Sequence, residues 1–312
     1  MRVVDVSEPD STVDSALLGD PVVAIGSLRG ASEFWLQRAT FTLTEDHADD
    51  RRAITVASID TALVELTAQV QQWPIAAATC DDVLRSVDPA GAASPGVVTE
   101  SLAYSTLQAG AEFASWLAAR GPATMPDIAD PVQVRRDGGT LHIAFNRPQR
   151  HNAFSTDARA ALLEALAVAQ LDWSVDQVVL TGNGPSFCSG GDLDEFGTFT
   201  DPASAHLART RYSPALALDA ITARLGPACR AEVHGQVVGS GLEMAAFCGR
   251  IEAAADTVFG LPELRLGLIP GAGGTVSVTR RIGRWRTAYL VLSGQTIDPS
   301  VALAWGLVDA VR

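Results

Sequence analysis

Alternating strand-like and helix-like stretches fill residues 132–312, and they constrain the fold more than any other feature of this 312-residue chain. The predicted elements, in chain order, are a β-hairpin of residues 132–136 and 141–145, a helix at 156–170, strands at 178–181 and 229–233, a helix at 240–247 and a strand at 251–255. Ser155 directly precedes the first helix and is suited to cap it. Alternation of this kind is typical of a layered α/β architecture.

Two glutamates, Glu243 and Glu263, each lie in an apolar, glycine-rich stretch. The first closes residues 234–243, and the second lies in residues 259–263, shortly before a glycine-rich run at 269–275. Carboxylates near apolar surroundings can move a proton and activate a water molecule. The simpler alternatives are a helix-start carboxylate for Glu243 and a solvated surface acid for Glu263.

A third stretch, residues 187–193, contains the adjacent glycines Gly190 and Gly191. Small residues allow a main-chain N–H to come close to a reacting oxygen, although an ordinary turn would also use them. Together with the two glutamates, this stretch indicates an enzyme that stabilises a thioester oxyanion and performs acid–base chemistry beside it.

Five motifs in this order and spacing resemble the crotonase superfamily, which is the enoyl-CoA hydratase/isomerase family. They lie at residues 146–153, 178–182, 187–193, 234–275 with both glutamates, and 302–308. The resemblance covers about 132–312. It implies an α/β fold built as a spiral of repeated ββα units.

The resemblance also implies a reaction and a set of roles. The main-chain N–H groups of Gly191 and Ser240 would bind the thioester oxygen, although most relatives have glycine where Ser240 stands. Glu243 would orient water and act as the general base, and Glu263 would protonate C2. The implied reaction is reversible syn addition of water to a trans-2-enoyl-CoA, with coenzyme A as part of the substrate and without a metal or redox cofactor.

For coenzyme A, the resemblance implies a binding groove along the motifs at residues 146–153 and 187–193. The candidate binding residues are Arg150, Asn152, Ser189, Asp192, Leu193 and Asp194. Relatives often carry a lysine at the position of Asp194, where it meets a phosphate of coenzyme A. The acid found here implies either that another arginine substitutes or that binding of coenzyme A is weaker or altered.

Residues 59–119 predict helices at 59–72, 75–87 and 97–119. Crotonase relatives carry such helices after the motif at 302–308, whereas this sequence reaches only Arg312. We therefore expect a circular permutant, with helical residues 59–120 joined by a linker at 121–126 to a crotonase-like core at 132–312. An unrelated helical domain is the alternative. If the chain is permuted, these helices should pack over Glu243 and Glu263, and Arg312 should lie near the start of the first helix.

Residues 1–58 contain candidate strands at 21–25 and 53–57 and an apolar stretch at 34–43, but their role does not follow from the sequence. The loop at 196–218, on which the choice of acyl group depends, has no readable pattern.

The composition fits a globular protein with a sizeable core, at 47% hydrophobic and 19% charged residues. A net charge of −13 without a basic run argues against a nucleic-acid partner. All 23 basic residues other than histidine are arginine, so a phosphate would be bound by arginine or by main-chain N–H groups. The widely spaced cysteines indicate buried thiols in a reducing compartment; they are Cys80, Cys188, Cys229 and Cys248. A cytoplasmic location without membrane contact is expected.

Three hypotheses for function remain at this point. The first is enoyl-CoA hydratase, assembled as the homotrimer or hexamer that the resemblance implies. The second is another acyl-CoA reaction of the same fold, an isomerase or a hydrolase. The third is a non-catalytic acyl-CoA-binding protein, but it leaves no reason to hold two acids in apolar surroundings, where a buried charge is unfavourable.

Overall fold

The computed structural model describes residues 1–8, 20–124, 129–199 and 201–312. The strands are β1 Arg2–Asp5, β2 Val22–Ile25, β3 Phe41–Thr44, β4 Ala53–Thr55, β5 Val132–Asp137, β6 Thr140–Phe145, β7 Gln177–Gly182, β8 Cys229–Val233, β9 Gln236–Val238, β10 Arg250–Ala253, β11 Val258–Gly260 and β12 Ala310–Val311. The α-helices are α1 Glu33–Arg38, α2 Ile59–Gln72, α3 Pro74–Ser86, α4 Ala93–Gln108, α5 Ala111–Arg120, α6 Thr156–Leu171, α7 Pro202–Arg211, α8 Pro214–Leu225, α9 Ser240–Ala245, α10 Gly274–Ser293 and α11 Pro299–Trp305.

A six-stranded sheet forms the centre of residues 132–312, with strand order β12-β10-β8-β7-β6-β5. Strands β5 and β6 are antiparallel, with Val132 opposite Phe145, and confirm the predicted hairpin. The other neighbours in this sheet are parallel, which requires the crossover helices that the sequence pattern predicts. The predicted α/β architecture is therefore confirmed, with a helical segment N-terminal to this sheet.

Helix α6 shows why the predicted elements form where they do. The Ser155 hydroxyl accepts a hydrogen bond from the Ala158 N–H at 3.1 Å, so the predicted N-cap is confirmed. Leu162 and Leu166 lie one turn apart on the buried face, and α6 packs against α8 and the edge of the sheet. The cap determines where the helix starts, and the apolar face determines which side of the helix packs against the core.

The described residues that precede α2 include a separate four-stranded parallel sheet, β1-β2-β3-β4. Successive residues of β2 point to opposite faces, so Val23 joins the main core while Val22 and Ala24 pack with α1. On the core side, Phe41 meets Tyr289 of α10 edge to face, with ring centroids 5.6 Å apart. The predicted strands at 21–25 and 53–57 correspond to β2 and β4, and the undefined stretch at 34–43 contains most of α1 and the start of β3.

Helices α2 to α5 occupy residues 59–120, and α3 and α4 pack against α10. The predicted single helix at 97–119 is wrong, because the chain breaks at Ala109 and Gly110 and continues as α5. The break allows Glu112, in the first turn of α5, to accept hydrogen bonds from the N–H groups of Ile75 and Ala76 at 2.8 and 2.9 Å. N–H groups in the first turn of a helix have no acceptor within that helix, so Glu112 supplies one for α3. The first turn of α5 is thereby bonded to the start of α3.

Within the described residues, none of the helices has both the length and the apolarity that a membrane crossing requires. The predicted linker at 121–126 includes residues 125 and 126, which lie outside the described ranges. The loop at 196–218 folds largely into α7 and the start of α8, while residue 200 lies outside the description.

Candidate active site

A small parallel ladder brings the two sequence-predicted acids together. Val238 at the end of β9 pairs with Gly260 at the end of β11. Helix α9 starts two residues after β9 and carries Glu243 in its first turn, and Glu263 begins a short 3₁₀ helix three residues after β11. Because the ladder is parallel, the segments that carry both glutamates leave from the same edge.

The glycine-rich stretch at 187–193 joins the same edge through a parallel bridge between Cys188 and Val237. Gly190 has φ 101°, and a Cβ there would lie 3.3 Å from the carbonyl oxygen of Val238, so the strands approach this closely only with glycine. Within the described part of the chain, the N–H groups of Gly191 and Ser240 have no hydrogen-bond acceptor. Both residues line one cavity with Glu243 and Glu263.

A strip of four main-chain N–H groups, residues 272–275, binds two carboxylates alternately. Glu243 Oε2 accepts hydrogen bonds from the N–H groups of Ala272 and Gly274 at 2.7 and 2.8 Å. Glu100 of α4 accepts from the N–H groups of Gly273 and Thr275 at 2.7 and 2.9 Å, and from the Thr275 hydroxyl at 2.7 Å. The strip therefore ties a helix from the N-terminal part of the chain to a predicted active-site acid.

Space at this strip is tight. A Cβ on Gly274 would lie 2.5 Å from Cγ of Glu243, so glycine is needed for the carboxylate to reach the N–H groups. Glu100 and Glu243 are only 1% and 2% exposed.

Burial raises the pKa values of Glu243, Glu100 and Glu263, and charge repulsion adds to the rise at Glu100 and Glu263. Burial raises the pKa of Glu243 to about 7, against the lowering effect of its main-chain hydrogen bonds. Burial and the neighbouring Glu243 raise the pKa of Glu100 to about 8, against the effect of its bonds to Thr275 and Gly273. Burial, then Glu243 and Glu100, raise the pKa of Glu263 well above its usual range. Oε2 of Glu263 has no hydrogen-bond partner among the described residues, which separates this acid from the two on the strip.

These groups surround a cavity of about 200 Å³ between the core and the N-terminal helices. Tyr104 of α4 closes one wall, with its ring against Gly271, and burial raises the pKa of its phenol. The wall also contains two arginines, Arg159 of α6 and Arg209 of α7. The expectation that the helices of residues 59–119 lie over Glu243 and Glu263 agrees with this arrangement, whereas the position expected for Arg312 relative to Ile59 stays a prediction.

Sequence reasoning missed Glu100, Arg159 and Arg209. For Glu100 a signal existed: it lies three residues after Val97 and four before Tyr104, all of which are buried. This helical spacing puts the acid on the buried face of an amphipathic helix, where an unpaired charge would be unfavourable.

The candidate coenzyme A residues form an internal charge network. Buried Asp192 lies between Arg147 Nη2 at 2.8 Å and Arg150 Nη2 at 2.7 Å, and Arg150 Nη2 also reaches Asp194 Oδ2 at 2.7 Å. Burial acts to raise the pKa of Asp192, but the hydrogen bonds from Arg147 and Arg150 outweigh it and lower that pKa. The charge of Asp194 is therefore balanced by Arg150, and the role of Arg150 in positioning the nucleotide side of coenzyme A stays a prediction.

The Asn152 amide likewise binds groups of the protein itself. It is 2% exposed, and its Nδ2 donates to the carbonyl oxygens of Asn183 and Ser186 at 2.9 and 2.7 Å. Its Oδ1 accepts from the Arg147 N–H at 2.6 Å, so the amide fixes the loop conformation. The Ser189 hydroxyl bonds weakly to the carbonyl oxygen of Arg150 at 3.5 Å, while Leu193 remains 45% exposed.

Comparison with known proteins supports the resemblance. The family model described as enoyl-CoA hydratase/isomerase matches residues 135–312. The 2,3-dehydroadipyl-CoA hydratase of Escherichia coli K12 is 35% identical over 178 residues, which cover 57% of this chain and 68% of that protein. A mevalonyl-coenzyme A hydratase of Aspergillus fumigatus is 31% identical over 180 residues, covering 55% of this chain and 62% of its own length.

The fold is similar to that of solved hydratases. The crystal structure of an enoyl-CoA hydratase from Thermoplasma volcanium superposes with a TM-score of 0.51 at 33% identity. The superposition covers 59% of this chain and 72% of that one. The predicted crotonase-like fold is therefore confirmed.

Proposed function

Because this chain belongs to the enoyl-CoA hydratase/isomerase family, we propose that it is an enzyme that adds water reversibly to a trans-2-enoyl-CoA. The product would be a 3-hydroxyacyl-CoA. The observation that carries the proposal is the meeting, in one cavity, of two unpaired main-chain N–H groups and two buried glutamates with raised pKa values.

The N–H groups of Gly191 and Ser240 supply the electrostatic part of the mechanism. As water attacks C3, electrons of the C2–C3 double bond move through the carbonyl carbon to the thioester oxygen. Two preorganised donors stabilise the resulting enolate, and removal of one such donor typically costs about 3 kcal/mol of transition-state stabilisation. Since both donors belong to the main chain, a serine can serve at position 240.

The two glutamates divide the proton transfers according to their surroundings. Two N–H donors stabilise ionised Glu243, which is suited to take a proton from the attacking water as the O–C3 bond forms. Glu263 keeps its proton more strongly, because burial and the charge of Glu243 oppose its ionisation. It then gives that proton to C2 as the enolate collapses, and proton exchange with solvent restores both acids.

Glu100 acts as a positioning residue in this account. It holds Gly273 and Thr275, and these alternate with the two N–H groups that hold Glu243. We propose that α2–α5 form a helical segment of residues 59–120 that completes the site of the core at 132–312, as expected for a permuted arrangement. Residues 1–58 would form a further unit packed on α10.

The test is the loss of enoyl-thioester absorbance with crotonyl-CoA and with a longer trans-2-enoyl-CoA. Wild type should turn over both, and Glu243→Gln and Glu263→Gln should each lower kcat by roughly 10²- to 10⁴-fold. Glu164→Gln, on the exposed face of α6, is the matched control and should leave kcat unchanged. Acyl-CoA binding without hydration by the wild type would contradict the proposal and favour another acyl-CoA reaction or a binding role.

A further inference from the structure

Two arginines in the cavity wall form no ion pair with any acid that the structure describes. Within the described residues, the Arg159 guanidinium forms no hydrogen bond and no ion pair, although the side chain is half-buried and lines the cavity. In the described part of the chain, the side-chain groups that Arg209 binds are all neutral: Gln108 Oε1 at 2.9 Å, Ser101 Oγ at 3.3 Å, and the Ser105 hydroxyl. Its guanidinium also lies 4.6 Å from the centroid of the Tyr104 ring.

Within the described residues, none of the acids that share this cavity forms an ion pair with Arg159 or Arg209, although Oε2 of Glu263 has no hydrogen-bond partner. Glu243 and Glu100 bind the N–H strip, and Asp192 lies between Arg147 and Arg150.

Glu195 is the acid whose charge acts on Arg159. It accepts hydrogen bonds from the N–H and the hydroxyl of Thr156 at 2.8 and 3.0 Å and forms no ion pair with Arg159.

A guanidinium stays charged under all ordinary conditions, so Arg159 cannot escape burial by losing its proton. Burial lowers the pKa of Arg159 and of Arg209, and at Arg209 it outweighs the opposing charges of Tyr104 and Glu100. Both guanidinium groups therefore face one partly desolvated cavity. Such a place is stabilised by an anion, and the planar fork of an arginine fits a carboxylate in particular.

We propose that Arg159, with Arg209 beside it, binds a carboxylate carried on the acyl chain of the substrate, so that this enzyme hydrates dicarboxylic enoyl thioesters in preference to neutral ones. The inference rests on the proposed function and specifies its substrate class. A phosphate of coenzyme A is the other anion available. The whole pantetheine arm separates it from the thioester, however, so it does not fit the same compact cavity as Glu243 and Glu263.

Two substrates of equal chain length, the coenzyme A thioesters of trans-2-hexenoate and trans-2-hexenedioate, test the proposal. Wild type should favour the dicarboxylic thioester by roughly 10- to 100-fold in kcat/KM, as expected for hydrogen bonds to a charged group. Arg159→Met should bring this ratio close to one, and Arg159→Lys should retain part of it. Arg135→Met, at an exposed position on β5, is the matched control and should leave the ratio unchanged.

A wild type without preference would overturn the inference. So would an Arg159→Met variant that lowers kcat/KM equally for both substrates, because that result places the arginine against coenzyme A or in the fold. Calorimetric binding of the saturated thioesters, adipoyl-CoA and hexanoyl-CoA, separates this inference from the proposed hydration. If neither enoyl substrate is hydrated, tighter binding of adipoyl-CoA that disappears in Arg159→Met still supports the carboxylate site, and equal binding of the two thioesters overturns it.

Discussion

The core of residues 132–312 and helix α4 meet at the N–H strip of residues 272–275. They differ in how far the sequence reveals the role of the acid that each contributes. The core carries Glu243 within the stretch that matches the family. Helix α4 lies outside that stretch and carries Glu100, which binds the same strip from the other side. A sequence motif thus identifies the acid expected to do the chemistry, whereas helical spacing indicates only that Glu100 is buried, and the fold is needed to show what it binds.

The largest expected effect concerns the core acid. Glu243 must be ionised to act as a base, and its pKa is raised by burial to about 7. Below that pH the base is protonated, so kcat/KM of the wild type at pH 5 should be roughly 100-fold lower than at pH 8. A pH–rate profile with crotonyl-CoA measures this fall of kcat/KM at low pH, the acidic limb of the profile. A profile that stays flat between these pH values would show that Glu243 is not the base.

The next effect concerns the acid from α4. Glutamine at position 100 offers one oxygen where Gly273 and Thr275 each need an acceptor, so part of the strip loses its support. Glu100→Gln should lower kcat by roughly 10-fold through displacement of Glu243. It also removes a negative charge that raises the pKa of Glu263, so the alkaline limb of the pH–rate profile should move to lower pH.

A merely structural role for Glu100 would lower the amount of folded enzyme without moving that limb. An unchanged alkaline limb in a folded Glu100→Gln variant would therefore contradict the comparison between the two parts of the molecule.

The sequence indicated the core more completely than the N-terminal part, for physical reasons. The β5–β6 hairpin, α6 and the strands β7, β8 and β10 follow from periodicity, caps and turn glycines, which are local signals, whereas α7, α8, α10 and α11 have no counterpart among the predicted elements. The break between α4 and α5 depends on a distant contact, since Glu112 there caps α3. Strands β3 and β4 likewise pack against α10, which lies far away in the sequence.

The same difference applies to the candidate site. Both glutamates and both N–H donors lie in recognisable stretches and line one cavity. Arg150 and Asn152 lie in such a stretch too, yet their side chains hold the loop itself. Whether such a side chain binds the loop or a ligand depends on hydrogen-bond partners far away in the sequence, and a motif does not contain those partners.

Stability should respond to the third acid, Glu263. Because its pKa is raised by burial, the folded state holds this proton more tightly than the unfolded chain does. Its contribution to stability is present at acid pH, below the ordinary glutamate pKa, and is lost as the pH rises through the folded-state pKa. Glu263→Gln should therefore raise the Tm at pH 8 by about 2–6 °C and have little effect at pH 5.

Thermal unfolding at both pH values, with Glu164→Gln as the control, checks this prediction. An equal change in Tm at pH 5 and pH 8 would contradict it, because the effect would then not come from a buried charge.

The smallest effect is expected at Ser240. Its predicted function depends on the main-chain N–H, which glycine also has. Ser240→Gly should therefore change kcat with crotonyl-CoA by about threefold at most, far less than the loss of an oxyanion donor. A loss of 100-fold or more would assign a catalytic task to the hydroxyl instead.

A double-mutant cycle in the hydration of crotonyl-CoA tests the central claim, that α4 supports the active site through the strip shared with Glu243. The kcat values of wild type, Glu100→Gln, Glu243→Gln and the double variant are compared. The account predicts a loss of roughly 10-fold from Glu100→Gln in the wild type, and of about twofold or less when Glu243 is already glutamine. Equal losses in both backgrounds would show that Glu100 acts independently of Glu243 and would contradict the claim.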